Sequence, residues 1–238
     1  QIYSKINKRS MYRYDEMKKI LILGCSFSLG AYELGAPRHD GVRFVPDHPI
    51  HGSKGWYHYV DYFKNAKVTV IDFPGQGYWS WYSLLLMLEG TNRLNYDEMW
   101  LQETDSPRAK LVDLQKIELD WDRGRSEIDN ITRFTVNNAN THEMHLNPYD
   151  FYETLEKNIA QNIQELCIKK GMSGYVWTMY QPIMKCKEFT RLPLVNIHNE
   201  LRKEELLVYD ANDSHQTEEG NKYIGKLINE ALCIDMMK

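Results

Sequence analysis

Long apolar runs are scarce in this 238-residue chain. The longest, such as Leu84-Leu85-Leu86-Met87-Leu88, fall far short of the roughly 20 residues that span a bilayer. The stretch from Gln1 to Lys19 is polar and charged and has no apolar core like that of a signal peptide. Neither sign of charge is in large excess. With 29 Lys and Arg against 33 Asp and Glu, the formal net charge is -4, which gives no electrostatic reason to expect a nucleic acid or an anionic membrane as partner. Cysteine is sparse: Cys25, Cys167, Cys186 and Cys233 show no CxxC spacing. They read as reduced thiols, and the expected location is the cytoplasm. No internal repeat or low-complexity tract stands out.

What is present is alternation. Ile20-Leu21-Ile22-Leu23 ends at Gly24-Cys25-Ser26, and such a run reads as a strand buried on both faces of a parallel sheet. Lys67 to Phe73 is β-branched and reads as a second strand, closed by the loop signal Pro74-Gly75-Gln76-Gly77. Glu98 to Gln102, Tyr175 to Met179 and Leu206 to Tyr209 supply a third, fourth and fifth. Between them, Gly55 to Asn65 is predicted as an amphipathic helix from the spacing of Trp56, Tyr59, Val60 and Phe63. Trp79 to Leu88, Pro148 to Lys170 and Glu218 to Leu232 complete the helices. Ala31 to Ser53 reads as a polar surface excursion. This order predicts an α/β fold: a three-layer α/β/α sandwich around a central, mostly parallel five-stranded sheet, flavodoxin-like in plan. Residues 1–18 read as a leader and 19–238 as one domain with an irregular insertion at about 109–147.

Open α/β sheets place ligands at the carboxyl ends of their strands. On this plan the loops at Cys25-Ser26, Gly75, Thr104 and near His215 gather along one edge. Ser26 suits either a nucleophile or a phosphate ligand. Neither a GxGxxG nor a Gly-Lys-Ser/Thr sequence follows the first strand, which disfavours a flavodoxin-like nucleotide-binding domain. A serine nucleophile needs a base, and His215, immediately ahead of the last helix and beside acidic residues, is the best in the chain. Backbone amides at Ser26 and Gly75 are candidates to stabilise an oxyanion. His142 and His145 lack a third ligand at a metal-binding spacing and read as surface residues, so no metal and no cofactor are expected. Cys25 reads as a small residue packed under the turn rather than a reactive thiol.

Three ordered blocks carry a family resemblance. Gly24-Cys25-Ser26-Phe27-Ser28 resembles the Gly-Asp-Ser block of the SGNH (GDSL-type) hydrolases, with Cys25 where the acid usually stands. Pro74-Gly75-Gln76-Gly77 is similar to that family's glycine block, and Asp213-Ser214-His215-Gln216-Thr217-Glu218-Glu219-Gly220 to its final Asp/His block. Two departures stand out. The loop Glu103-Thr104-Asp105-Ser106-Pro107-Arg108 has no asparagine where the family's third block supplies one. Asn212 occupies the usual place of the family acid, three before the histidine, leaving Asp213 two before and Asp210 five before.

The resemblance implies a serine hydrolase acting on an ester or acyl group, with Ser26 as nucleophile, His215 as base and Asp213 as the favoured orienting acid. Ser26, Gly75 and Thr104 would form the oxyanion hole, and Arg108 and Trp79 would face substrate. A small-molecule or carbohydrate ester is the expected partner. Tyr32, Trp56, Tyr57, Tyr78, Trp79 and Trp81 are candidates to stack on a sugar ring. The alternative is a catalytically reduced domain of the same type that binds glycan without cleaving it.

Overall fold

Every residue of the first strand, β1 (Lys18–Gly24), from Ile20 onward is buried, and its side chains split cleanly between the two faces of a sheet. Leu21 and Leu23 pack in one apolar cluster, Ile20 and Ile22 in the other. This is the arrangement that an unbroken apolar run requires when both sheet faces are covered. The computed structural model describes residues 17–25, 53–72, 77–103, 110–112, 125–135, 141–143, 149–179, 185–194, 196–207 and 215–235.

The other strands are β2 (Ala66–Asp72), β3 (Glu98–Glu103), β4 (Lys110–Val112), β5 (Arg125–Ile128), β6 (Ile131–Thr135), β7 (Thr141–Glu143), β8 (Ser173–Thr178) and β9 (Thr190–Arg191). Seven of them form one sheet in the order β5-β6-β2-β1-β3-β8-β9, with every neighbouring pair parallel except β5 and β6. The remaining two, β4 and β7, pair antiparallel with each other. The helices among the described residues are α1 (Tyr78–Gly90), α2 (Tyr149–Lys170), α3 (Ile197–Lys203) and α4 (Glu218–Asp235).

Two clusters make the layers. On one face α1 and α2 cover Leu21, Leu23, Ile71, Met99, Leu101 and Val176. On the other, residues 56–63, α3 and α4 cover Ile20, Ile22, Val68, Val70, Trp100 and Trp177. The α/β/α sandwich and its mostly parallel sheet are therefore as expected. Strand β2, then β1, β3, β8 and β9 give the flavodoxin-like order, and the hairpin β5–β6 is added outside β2.

Among the described residues the sheet has seven strands where the sequence suggests five, and the differences have physical causes. Hairpin β5–β6 lies within the stretch read as irregular. Its turn holds Asp129 at φ 56, and the Asn130 side chain anchors it by donating to the Phe63 and Ala66 carbonyls at 2.7 and 2.5 Å. Of the fifth strand expected over Leu206 to Tyr209, Leu206 and Leu207 do not join the sheet, and Val208 and Tyr209 lie outside the described residues. Leu207 makes a single antiparallel bridge to Gln216, and β9 takes the place beside β8. The helix expected over Gly55 to Asn65 is instead two 3-10 turns, Trp56–Tyr59 and Asp61–Phe63, because Val60 between them is extended at φ -93, ψ 113. A spacing of three to four serves either helix type.

Candidate active site

From β1 the chain passes to β2 on one side and then crosses to β3 on the other. The strand order thus reverses between β1 and β3, the point at whose carboxyl edge open α/β sheets place their ligands. The described strand ends at that point are Gly24-Cys25 and Gln102-Glu103. Cys25 is 2% exposed and belongs to the apolar cluster on the face covered by residues 56–63, α3 and α4. The start of α1 is tied to the same point: Trp81 Nε1 donates to the Gly24 carbonyl at 3.3 Å while its backbone N–H donates to Gly77 O at 3.1 Å. The amino end of α1 therefore sits beside the end of β1, where its dipole favours negative charge.

His215 reaches this edge from the other layer. The segment from Lys54 to Phe63 runs alongside α4 in the same direction: Asn221 Nδ2 donates to Lys54 O at 3.1 Å, and Asn229 Nδ2 to Tyr59 O at 3.0 Å. Since β2 starts at Ala66, this segment travels toward the amino edge of the sheet. The amino end of α4, with His215 ahead of it, accordingly lies toward the carboxyl edge. His215 is half-buried. The residues after it are fixed by the Leu207–Gln216 bridge, by Thr217 N–H and Oγ1 donating to Leu206 O at 2.9 and 3.0 Å, and by Gly220 N–H donating to Thr217 Oγ1 at 3.2 Å. The last of these makes Thr217 the N-cap of α4.

Gly220 has its own reason to be glycine. A Cβ there would lie 2.7 Å from the Leu206 carbonyl oxygen and 2.8 Å from Gln216 Cβ. The first turn of α4 approaches residues 206–207 closely, next to the segment that carries His215.

A charged cluster that sequence reasoning missed sits at the end of β3. Glu103, with a fully buried carboxylate, accepts from Tyr78 OH at 2.6 Å, from the Lys185 backbone N–H at 3.3 Å and from Arg191 Nη2 at 2.8 Å. Lys185 Nζ in turn pairs with Glu156 at 2.5 Å and lies over the Tyr78 ring. Cys186 Sγ donates to Tyr78 OH at 3.5 Å. Burial, reinforced by Cys186 and Glu103, holds the Tyr78 phenol well above its ordinary range, so it serves as a hydrogen-bond donor. No sequence signal marks Glu103, because a glutamate at a strand end reads as the start of a solvated loop. On the opposite sheet face His198, whose N–H donates to Met179 O at 2.8 Å, and Gln102 are buried polar residues that the sequence reading also passed over.

Of the site residues expected from sequence, the structure describes His215 and Trp79. Ser26, Gly75, Thr104, Arg108 and Asp213 lie outside the described residues, as do Asp210, His145 and Tyr32. Trp79 is half-buried on α1 against the cluster beneath that helix. The aromatic set suggested for sugar stacking needs correction. Trp56, Tyr57, Tyr78 and Trp81 are 0% exposed and form the core, where their large apolar area is better spent. A groove of about 690 Å³ runs between α2 and residues 185–188, but neither Cys25 nor His215 lines it. Among the described residues no group of three or more metal-binding side chains is found, and no helix is long and apolar enough to cross a membrane.

No protein-family model matches the chain, and no curated protein does. Among solved structures, the chain is similar to a protein from Desulfitobacterium hafniense DCB-2 assigned to the G-D-S-L lipolytic family, with 12% identity and a TM-score of 0.44 over 90% of this chain and 99% of that one. It is also similar to the psychrotrophic esterase EstA from Pseudoalteromonas sp., in a structure inhibited by monoethylphosphonate, with 13% identity and a TM-score of 0.44 over 93% and 100% of the two chains. Likeness at this level carries no functional argument, so the chemistry must be read from this chain's own residues.

Proposed function

We propose that this chain is a serine ester hydrolase of the SGNH type. The observation that carries the reading is that two segments distant in sequence, one leading to Ser26 and one following His215, bury residues on the same face of the sheet. Cys25, one residue before Ser26, is buried in the same cluster as Leu207 and Ile224, and these flank the bridge and helix that fix the residues after His215. A hydroxyl and an imidazole carried on one edge of a parallel sheet are the minimum for acyl transfer.

In this reading His215 takes the Ser26 proton as Oγ attacks the ester carbonyl. Collapse of the tetrahedral intermediate expels the alcohol, which receives that proton, and leaves an acyl group on Ser26. Water, activated by the same imidazole, then releases the acid. Asp213 is the proposed orienting acid. The amides of Ser26 and Gly75, with Thr104 in the place of the family asparagine, are the proposed oxyanion donors, each worth on the order of 3 kcal/mol in such sites. Arg108 and Trp79 are proposed to face the substrate. With four of the six candidate aromatics committed to the core, a preference for an O-acetylated carbohydrate rests mainly on Trp79.

The test is labelling by a fluorophosphonate together with hydrolysis of a short-chain aryl acetate. The wild-type chain should react in both assays, and Ser26→Ala and His215→Ala should lose both. Undiminished turnover in Ser26→Ala overturns the reading. Glycan binding by a wild-type chain that neither labels nor hydrolyses favours the non-cleaving alternative.

A further inference from the structure

A carboxylate removed from water is costly unless its oxygens accept a full set of hydrogen bonds, and even a well-paired buried ion seldom outperforms an apolar residue of the same size. Glu103 therefore needs a reason beyond stability. It lies on the last rung of the β3–β8 ladder, opposite Thr178. Its two oxygens bind three separate segments: Tyr78, the first residue of α1; Lys185, in the segment after β8; and Arg191, in β9. Two of the chain ends so joined are those from which the proposed oxyanion elements depart. Tyr78 is three residues after Gly75, and Glu103 immediately precedes Thr104.

The geometry points to Glu103 as the positioning residue of the candidate site, a buried carboxylate that holds the start of α1 and the end of β3 in one fixed relation. This rests on the esterase reading. Tyr78 is the arm of the clamp toward α1, and its short bond to Glu103 sets how far the amino end of that helix stands from β3. The Lys185 amide shares Oε1 with the Tyr78 hydroxyl, and Arg191 holds Oε2, so the carboxylate is fixed at both oxygens. The clamp acts through other groups, so its loss should slow the acyl-transfer step and leave substrate affinity nearly intact.

Glu103→Gln keeps the size of the side chain and removes its charge. The expected result is a fall of roughly 10- to 100-fold in kcat for an aryl acetate and in the rate of fluorophosphonate labelling, with KM within about twofold, as misplaced catalytic groups produce. Tyr78→Phe deletes a single hydroxyl and should shift kcat in the same direction by a smaller factor. A merely structural role predicts a lower urea midpoint with an unchanged kcat per folded molecule, and that outcome overturns the inference. If Glu103→Gln does not fold, an unchanged kcat in Tyr78→Phe overturns it equally. A wild-type chain that neither labels nor turns over defeats the esterase reading and this inference together. A labelled wild type with an equally reactive Glu103→Gln defeats this inference alone.

Discussion

Lys185 Nζ sits 2.5 Å from Oε2 of Glu156, with the two side chains 2% and 0% exposed. An ion pair so enclosed gains little net stability over an apolar pair, yet removing one partner strands the other charge in a medium that cannot solvate it. Lys185→Met should therefore cost about 3–5 kcal/mol. The double variant Glu156→Leu with Lys185→Met should recover most of that loss. Urea unfolding of the two single variants and the double gives the coupling. Equal, additive losses would show that the pair does not behave as a buried unit.

Gly220 provides a sharper steric test. In most helical positions Gly→Ala gains up to about 1 kcal/mol. Here the added methyl would meet a backbone carbonyl at 2.7 Å, which cannot swing aside as a side-chain tip can. Gly220→Ala should instead lose about 1–3 kcal/mol, the range for overpacking, and should slow fluorophosphonate labelling by moving the segment that carries His215. Thermal melts and labelling rates on the same sample check both effects, and a stabilised, fully reactive variant contradicts them.

His58 predicts a pH dependence of stability. Burial, assisted by Lys54 and Arg133 and opposed by the Gly55 carbonyl and Asp129, lowers its imidazole from 6.5 to about 4. Its Nε2 is buried without a hydrogen-bond partner among the described residues. The unfolded chain thus binds a proton near pH 6.5 that the folded chain refuses until about pH 4. Stability from this group is complete above pH 6.5, declines as pH falls through that window, and is lost to the extent of about 3 kcal/mol at most. Urea midpoints between pH 4 and 7 should show the slope in the wild type, and His58→Gln should reduce it.

The thiols should separate by burial. Cys25, Cys167 and Cys186 are buried, Cys233 is exposed, and no disulfide joins any of the four. Burial pushes the thiols of Cys167 and Cys186 up to about 12, so neither forms thiolate near neutrality. A thiol-reactive chromophore should modify Cys233 rapidly in the native protein and the other three only in denaturant. Fast native modification of Cys25 would show that the turn before Ser26 is open to solvent reagents.

Legibility in the sequence followed burial. The run Ile20 to Leu23 and the stripe of α1 are apolar because both strand faces and most of the helix surface are covered, and period or run length reveals them directly. Strands β5 and β6 are rich in polar residues, such as Arg125, Glu127, Thr132 and Arg133, as suits the margin of a sheet, so hydropathy hides them. The local signal was Asp129-Asn130 between two isoleucines, a turn dipeptide flanked by strand formers. At two residues, β9 is too short to leave any period. The edge expected for His215 follows from chain order and parallel topology. The engagement of Glu103 does not, since its partners come from α1, the segment after β8 and β9, and meet only in three dimensions.

Both margins of the seven-stranded sheet are short. One ends in the two residues of β9, the other in the four of β5, which runs antiparallel to its neighbour. An outermost strand with a long unpaired ladder is a template on which a second molecule can add its own strand. Among the described residues these margins, which extend the sheet beyond its five expected strands, leave a second molecule only a few rungs on which to pair.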